Sequence, residues 1–322
     1  MISQAHFERH EHPLLRRNYR VATTAIESFV DLVERCLRVL MPGALVYARP
    51  RMGKTHAVDY VCLHLARVRP EVLTIRMSCE HHRTDFEGPF FSSLLIAAGA
   101  NGDVLKRPIT VKRQELIRRL RERLAARKGH IVALFCDEAQ RQSRNSYEWL
   151  RDVHDQLAYH GIRLITFLIG QPQLLAQKAG FQMSGDEQIV ARFMIEQMLF
   201  HGIRDAGEAA TCLAGYDKTR YPEGSGPTFT GYFLAKSFAA GLRLEHSGAD
   251  LWNAFVRAHA QAQLTGPPEI QMDYFTRAVE SLLAQGNGFD DPALALNESY
   301  WTQAVEESGY VGAQRSVAPA LG

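Results

Sequence analysis

The chain has 322 residues, 46% hydrophobic and 22% charged, a balance that excludes a largely disordered protein and exceeds the usual size of one domain. No run of about 18 apolar residues occurs, and the stretch Met1 to Arg20 carries charges without an apolar centre, so neither a membrane span nor an export signal is expected. A formal net charge of +2 does not assign a nucleic-acid partner, because near-neutrality of the whole can hide a local basic face.

The cysteines, Cys36, Cys62, Cys79, Cys136 and Cys212, are odd in number, widely spaced and without a CxxC pair. That usage fits reduced thiols and a cytoplasmic protein.

In chain order, apolar residues from Ile26 to Leu40 recur at three- and four-residue spacing and predict a helix. Pro42 and Gly43 break it, and Ala44 to Ala48 reads as a short buried strand. A loop over 49–53 leads into a helix from Lys54 to about Val68, followed by a strand over 72–77. A basic helix over roughly 110–128 precedes the strongest strand, 131–136, and a helix over 145–159 precedes another buried strand, 163–169. Strand alternating with helix over this length predicts a parallel α/β sheet. From about 204 the strand pattern fades, and helices over 205–215, 228–243, 249–263 and 270–285 predict a smaller α-helical domain. A Pro/Gly-rich loop at 221–227 interrupts it, and a mobile end is expected over 316–322.

Two constellations carry chemistry. Ala48-Arg-Pro-Arg-Met-Gly-Lys-Thr55 matches G-x-x-x-x-G-K-[ST] except at its first position, where alanine replaces glycine. Such a loop turns its N–H groups around phosphate oxygens and feeds a helix N-terminus, where the dipole favours anions. Arg51, Met52, Gly53, Lys54, Thr55 and His56 are the candidate nucleotide-binding residues: Gly53 permits close approach, Lys54 meets the β and γ phosphates of ATP, and the Thr55 hydroxyl is a ligand for Mg2+. The second constellation is Ile131-Val-Ala-Leu-Phe-Cys-Asp-Glu138, a buried strand ending in adjacent carboxylates, at the place where ligands bind in open parallel sheets. Asp137 is expected to hold Mg2+ through water and Glu138 to polarise the water that attacks the γ-phosphate. A strand running into an ordinary acidic turn is the structural alternative.

These motifs, with Cys136-Asp-Glu-Ala-Gln140, Gly170-Gln-Pro-Gln-Leu174 and Arg192-Phe, resemble AAA+ ATPases and, more narrowly, the TnsC/TniB regulators of DNA transposition. The resemblance spans residues 44–200 and departs at Ala48 and in lacking an obvious sensor arginine in the helical domain. It implies an AAA+ P-loop parallel sheet flanked by helices with a smaller C-terminal α-helical domain. The expected division is 1–40 extension and helix, 41–203 ATPase core, 204–286 helical domain and 287–322 tail. It further implies that Gln171 orients the attacking water and that Arg192 reaches into a neighbouring subunit's site, where a guanidinium neutralises charge on the transferred phosphoryl group; a turn residue before Pro172 and a helix-surface arginine in a salt bridge are the respective alternatives. The implied protein is an ATP-dependent homo-oligomer, ring or filament, on duplex DNA, linking target-selector proteins to a transposase, with no membrane partner; an AAA+ motor or clamp-loader-type ATPase, or a signalling NTPase that gates protein association without DNA, is the alternative.

An independent feature points to DNA: from Lys106 to Lys128 ten basic residues stand against Glu115 and Glu122. Lys106, Arg107, Lys112 and Arg113 are candidate phosphate contacts, expected to be exposed, with Arg141 and Arg144 next. A solvated helix face with i,i+4 ion pairs is the alternative for the stripe, and capping of the next helix for Arg141 and Arg144. Cys79, His81 and His82 lie together but lack a second ligand pair for a metal. Tyr300, Trp301 and Tyr310 are either partner anchors or packing residues of their own domain.

Overall fold

The computed structural model describes residues 11–80 and 86–317, apart from the side chains of Asn287, Ser316 and Val317. The chain divides into two compact units. One comprises Ser28–Pro50 and Lys54–Phe200; the other comprises Arg51–Gly53, the chain from His201 onward and the segment before Ser28.

Helix α1 (Thr24–Val39) leads into the first of these units, where strands alternate with helices as β1 (Gly43–Tyr47), α2 (Lys54–Val68), β2 (Leu73–Ser78), α3 (Glu87–Ala97), α4 (Ile109–Arg127), β3 (Ile131–Asp137), α5 (Arg144–Tyr159), β4 (Arg163–Gly170), α6 (Gln173–Met183), α7 (Glu187–Phe193) and β5 (Glu196–Leu199). All five strands are parallel, in the order β2-β3-β4-β1-β5. Central β4 is buried over every residue but Arg163, as expected of a strand covered by helices on both faces. Phe135 and Phe167 stack across β3 and β4 with centroids 4.9 Å apart, while Leu134, Cys136 and Leu168 of the same strands share a core with Leu94, Leu120, Tyr147 and Phe193 of the helices. At Gly43 a Cβ would fall 2.5 Å from the Arg192 carbonyl oxygen, so glycine lets the backbones of β1 and α7 approach.

The other unit is helical: α8 (Ala206–Lys218), α9 (Phe229–Phe233), α10 (Ala235–Ala239), α11 (Gly248–Gln261), α12 (Met272–Gln285), α13 (Glu298–Ser308) and α14 (Tyr310–Val317). Asp205 begins α8 by accepting the Glu208 N–H at 2.8 Å, and Thr228 begins α9 by accepting that of Gly231 at 3.0 Å. Its core gathers Leu213, Tyr216, Phe233, Phe255, Phe275 and Trp301.

Several sequence expectations need correction. The single helix expected over 228–243 is two short helices broken at Leu234, whose φ of −125° and ψ of 58° lie outside the helical region. The segment from 287 contains α13 and α14, and Trp301 and Tyr310 are buried in the core of the helical unit, the packing alternative. Helices α3, α6 and α7 and strand β5 had no predicted counterpart. His81, His82 and residues 318–322 of the end expected to be mobile over 316–322 lie outside the described residues, while 316 and 317 close α14. None of the five cysteines is in a disulfide. Among the described residues no helix is long and apolar enough to cross a membrane, and no group of three or more His, Cys, Asp or Glu is placed to hold a metal.

Candidate nucleotide-binding site

Because β4 lies between β1 and β3, the sheet brings three strand ends together: Tyr47 is in register with Gly170, and Cys136 with Leu168. The phosphate loop, the acidic pair and Gln171 therefore emerge at one edge, the crevice outside the carboxyl ends of the strands.

The loop leaves β1 through Ala48, fully buried, whose N–H donates to the Gly170 carbonyl at 3.1 Å. Positive φ occurs in this loop at Arg51 (65°) and Gly53 (94°), not at position 48, so alanine meets no left-handed backbone there. Met52 is buried. Arg51 is exposed, but its guanidinium lies 2.8 Å from the Tyr274 hydroxyl and 3.5 Å from the Asp273 carboxylate, both in the first turn of α12.

Lys54 opens α2 and is buried, with Nζ donating to the Ala48 carbonyl at 3.0 Å and the Arg49 carbonyl at 3.1 Å. Burial pulls its pKa below the ordinary lysine value, and the carboxylates of Glu138 and Asp137 oppose that pull. Thr55 Oγ1 donates to Asp137 Oδ2 at 2.8 Å. His56, in the same turn, is exposed. A hydroxyl and a carboxylate oxygen so placed are the hard donors that Mg2+ takes alongside substrate phosphates, so the residues fit the ion.

Glu138 has φ 55° and ψ 36°, the left-handed region that non-glycine residues seldom occupy and that clusters at functional sites. Its Oε2 accepts from Gln140 Nε2 at 2.7 Å and lies 3.5 Å from Arg141 Nη2. Gln171, just beyond β4, donates its backbone N–H to Gln140 Oε1 at 3.1 Å. Gln140 thus joins the acidic pair to the end of β4. In the sequence it is visible only as part of the Asp-Glu-Ala-Gln string, which assigns it no role.

The remaining candidates lie apart from this cluster. Arg192, in the last turn of α7, pairs with Asp155 at 2.8 Å. Arg144 grips Asp186 through two hydrogen bonds of 3.0 and 2.6 Å, which hold the Asp186 carboxyl down to about 2. In the basic stripe, Lys106 and Arg107 are exposed, whereas Lys112 and Arg113 are not, and the expectation of four exposed cations is corrected. Lys112 stands on the same i,i+4 face of α4 as Leu116, Leu120 and Leu124, is buried with them, and donates to Ser92 Oγ at 2.9 Å. Arg113 is drawn in by Glu87, by Asp152 at 3.2 Å and by the face of Phe91. Arg119 pairs with Glu115 at 2.7 Å, and Arg118 pairs with Glu115 and Glu122, so the stripe is partly the ion-paired face named as its alternative.

Comparison with known proteins bears on the domain and its fold. Residues 43–177 match the family described as an AAA domain. The Orc2 protein of Aeropyrum pernix, solved in ADPNP and ADP complexes, is similar with a TM-score of 0.59 and 12% identity over 92% of this chain and 71% of that one. The Orc1 protein of the same organism, solved in complex with DNA, gives 0.53 and 13% over 91% and 68%. No curated protein matches in sequence. Residues 43–177 thus form an AAA-type P-loop ATPase domain, within a chain whose parallel sheet and helical C-terminal region have the AAA+ fold of the archaeal Orc proteins.

Proposed function

We propose that this chain is an ATP-dependent, oligomeric, DNA-binding regulator of DNA transposition of the TnsC/TniB kind, which links target-selector proteins to a transposase and uses ATP hydrolysis to control assembly. The observation that carries the nucleotide part is the Thr55–Asp137 contact of 2.8 Å beside the buried Lys54. In this reading Lys54 leaves the loop carbonyls for the β and γ phosphates, and Thr55 and Asp137 hold Mg2+, the latter through water. Bound there, Mg2+ supplies positive charge against the phosphate oxygens. Glu138 polarises the attacking water, Gln171 orients it, and Arg192 exchanges Asp155 for the phosphates of a neighbouring protomer.

The DNA part draws on the exposed cations of the basic stripe and on the likeness to a fold that has been solved with DNA. The transposition part draws on motif flavour alone. Electron microscopy of the protein with ATP and duplex DNA, and with each omitted, tests it: rings or filaments are expected only with both. Assemblies of equal length without DNA would favour a second reading, a nucleotide-gated switch for protein association. The ion pairs that occupy Arg113, Arg118, Arg119 and Arg144 within the chain speak for that reading.

A further inference from the structure

We propose that Gln140 is a positioning residue for hydrolysis, one amide that holds the Glu138 carboxylate and the end of β4 together. The inference rests on the reading of Glu138 as the residue that polarises water. Gln140 Nε2 donates to Glu138 Oε2 at 2.7 Å, and Gln140 Oε1 accepts the Gln171 N–H at 3.1 Å. A carboxylate only accepts and a backbone N–H only donates, so the two partners fix which way the amide faces. Its backbone is fixed as well, since Gln177 Nε2 donates to the carbonyls of Gln140 at 2.9 Å and Gln142 at 3.0 Å. Room for the amide comes from Gly170, where a Cβ would lie 2.3 Å from Gln140 Oε1.

The consequence for Glu138 is asymmetry between its oxygens. Gln140 and Arg141 both approach Oε2, and Oε1 has no hydrogen-bond partner among the described residues. One oxygen is anchored while the other remains available to accept from water, and the anchor runs to the strand end that carries Gln171. A displacement of that strand end therefore reaches the carboxylate through a single side chain.

Steady-state ATP hydrolysis and nucleotide affinity of the full chain test this with Gln140→Glu, Gln140→Met, Gly170→Ala and Glu138→Gln. Gln140→Glu keeps the size and an acceptor for the Gln171 N–H, but sets a carboxylate against Glu138. It should leave Kd within about twofold and lower kcat about tenfold or more, and the acidic limb of the pH–rate profile should move upward as the two carboxylates raise each other's pKa. Gln140→Met removes both bonds and should lower kcat without moving that limb. Gly170→Ala, acting from the other strand, should lower kcat by displacing the amide. Wild-type kcat in both Gln140 variants, or a Kd that weakens in step with kcat, would overturn the proposal. If Glu138→Gln abolishes hydrolysis while the Gln140 variants keep it, only the Gln140 role fails. If Glu138→Gln hydrolyses at the wild-type rate, the reading of Glu138 fails and the Gln140 role with it.

Discussion

The Thr55 hydroxyl meets Asp137 Oδ2 at 2.8 Å, joining the first turn of α2 to the last residue of β3. The two oxygens come from segments 82 positions apart, and only the strand order brings them together. The contact separates the contribution of Thr55 from that of Lys54. Calorimetry with ATP should show Thr55→Ala weakening affinity about tenfold or more with Mg2+ and little without it. Lys54→Ala should weaken affinity in both conditions, since a charge-assisted hydrogen bond contributes roughly 1.5–3 kcal/mol. Unchanged affinity in both variants would remove the phosphate-loop assignment.

Arg192 is held by Asp155 within its own chain, so a role across a subunit boundary requires that pair to open. Arg192→Ala should spare nucleotide binding by isolated protomers and reduce hydrolysis at least tenfold. Mixed with a Glu138→Gln protomer, it should regain part of the activity, because some boundaries then hold two intact halves. No recovery over a range of ratios would confine Arg192 to its ion pair.

For DNA the structure redirects the choice of residues. Lys106, Arg107, Arg121 and Lys128 are exposed, while Lys112 supports the packing of α4. Fluorescence anisotropy at several salt concentrations should show that replacing the exposed four with alanine weakens ATP-dependent DNA binding for all sequences alike. The salt slope should flatten by roughly one unit for each phosphate that is no longer neutralised. Lys112→Ala should instead lower the melting temperature. An unaltered slope in the quadruple variant would move the DNA surface off this segment.

His12 supplies a pH dependence. It is buried among Tyr221, Phe229, Tyr232 and Phe233; its Nδ1 accepts the Leu14 N–H at 3.2 Å and its Nε2 has no partner among the described residues. Burial lowers its pKa from 6.5 to about 4. The unfolded chain therefore binds a proton that the folded chain refuses. The stability contributed is complete above pH 6.5, declines as pH falls through that value, and is gone below about 4. Thermal melts between pH 7.5 and pH 5 should fall less steeply for His12→Phe than for the wild type. Parallel slopes would assign the acid sensitivity elsewhere.

How much of this was legible in the sequence depended on whether a segment had two kinds of face. α2, α4 and α5 could be read because apolar and charged residues alternate along them with helical period. α3 could not: Glu87 to Ala97 has Gly88 and Pro89, loop residues, in its first turn, and the adjacent Ser92 and Ser93 among apolar residues give no charged face beyond Glu87. β5 is a four-residue edge strand with Glu196 and Gln197 in it, too short and polar to signal burial. α13 carries a legible pattern, since Trp301, Ala304, Val305 and Ser308 stand at i, i+3, i+4 and i+7 and are its buried residues. In the site, Lys54, Thr55, Asp137 and Glu138 were legible from local spacing. The Gln140 bridge was not, because its partner Gln171 lies 31 residues away, just beyond a strand whose place beside β3 spacing alone does not give.

Ala48 and Pro50 give the phosphate loop a different entropy from one rich in glycine. Glycine surrenders more backbone freedom on ordering than any other residue, and proline arrives with φ already fixed. Alanine is accommodated at position 48 because the left-handed turns fall at Arg51 and Gly53. Between β1 and α2 only Gly53 keeps the freedom of a residue without a side chain. A loop so composed has little disorder to lose, so phosphates proposed to bind there would meet most of its shape set beforehand.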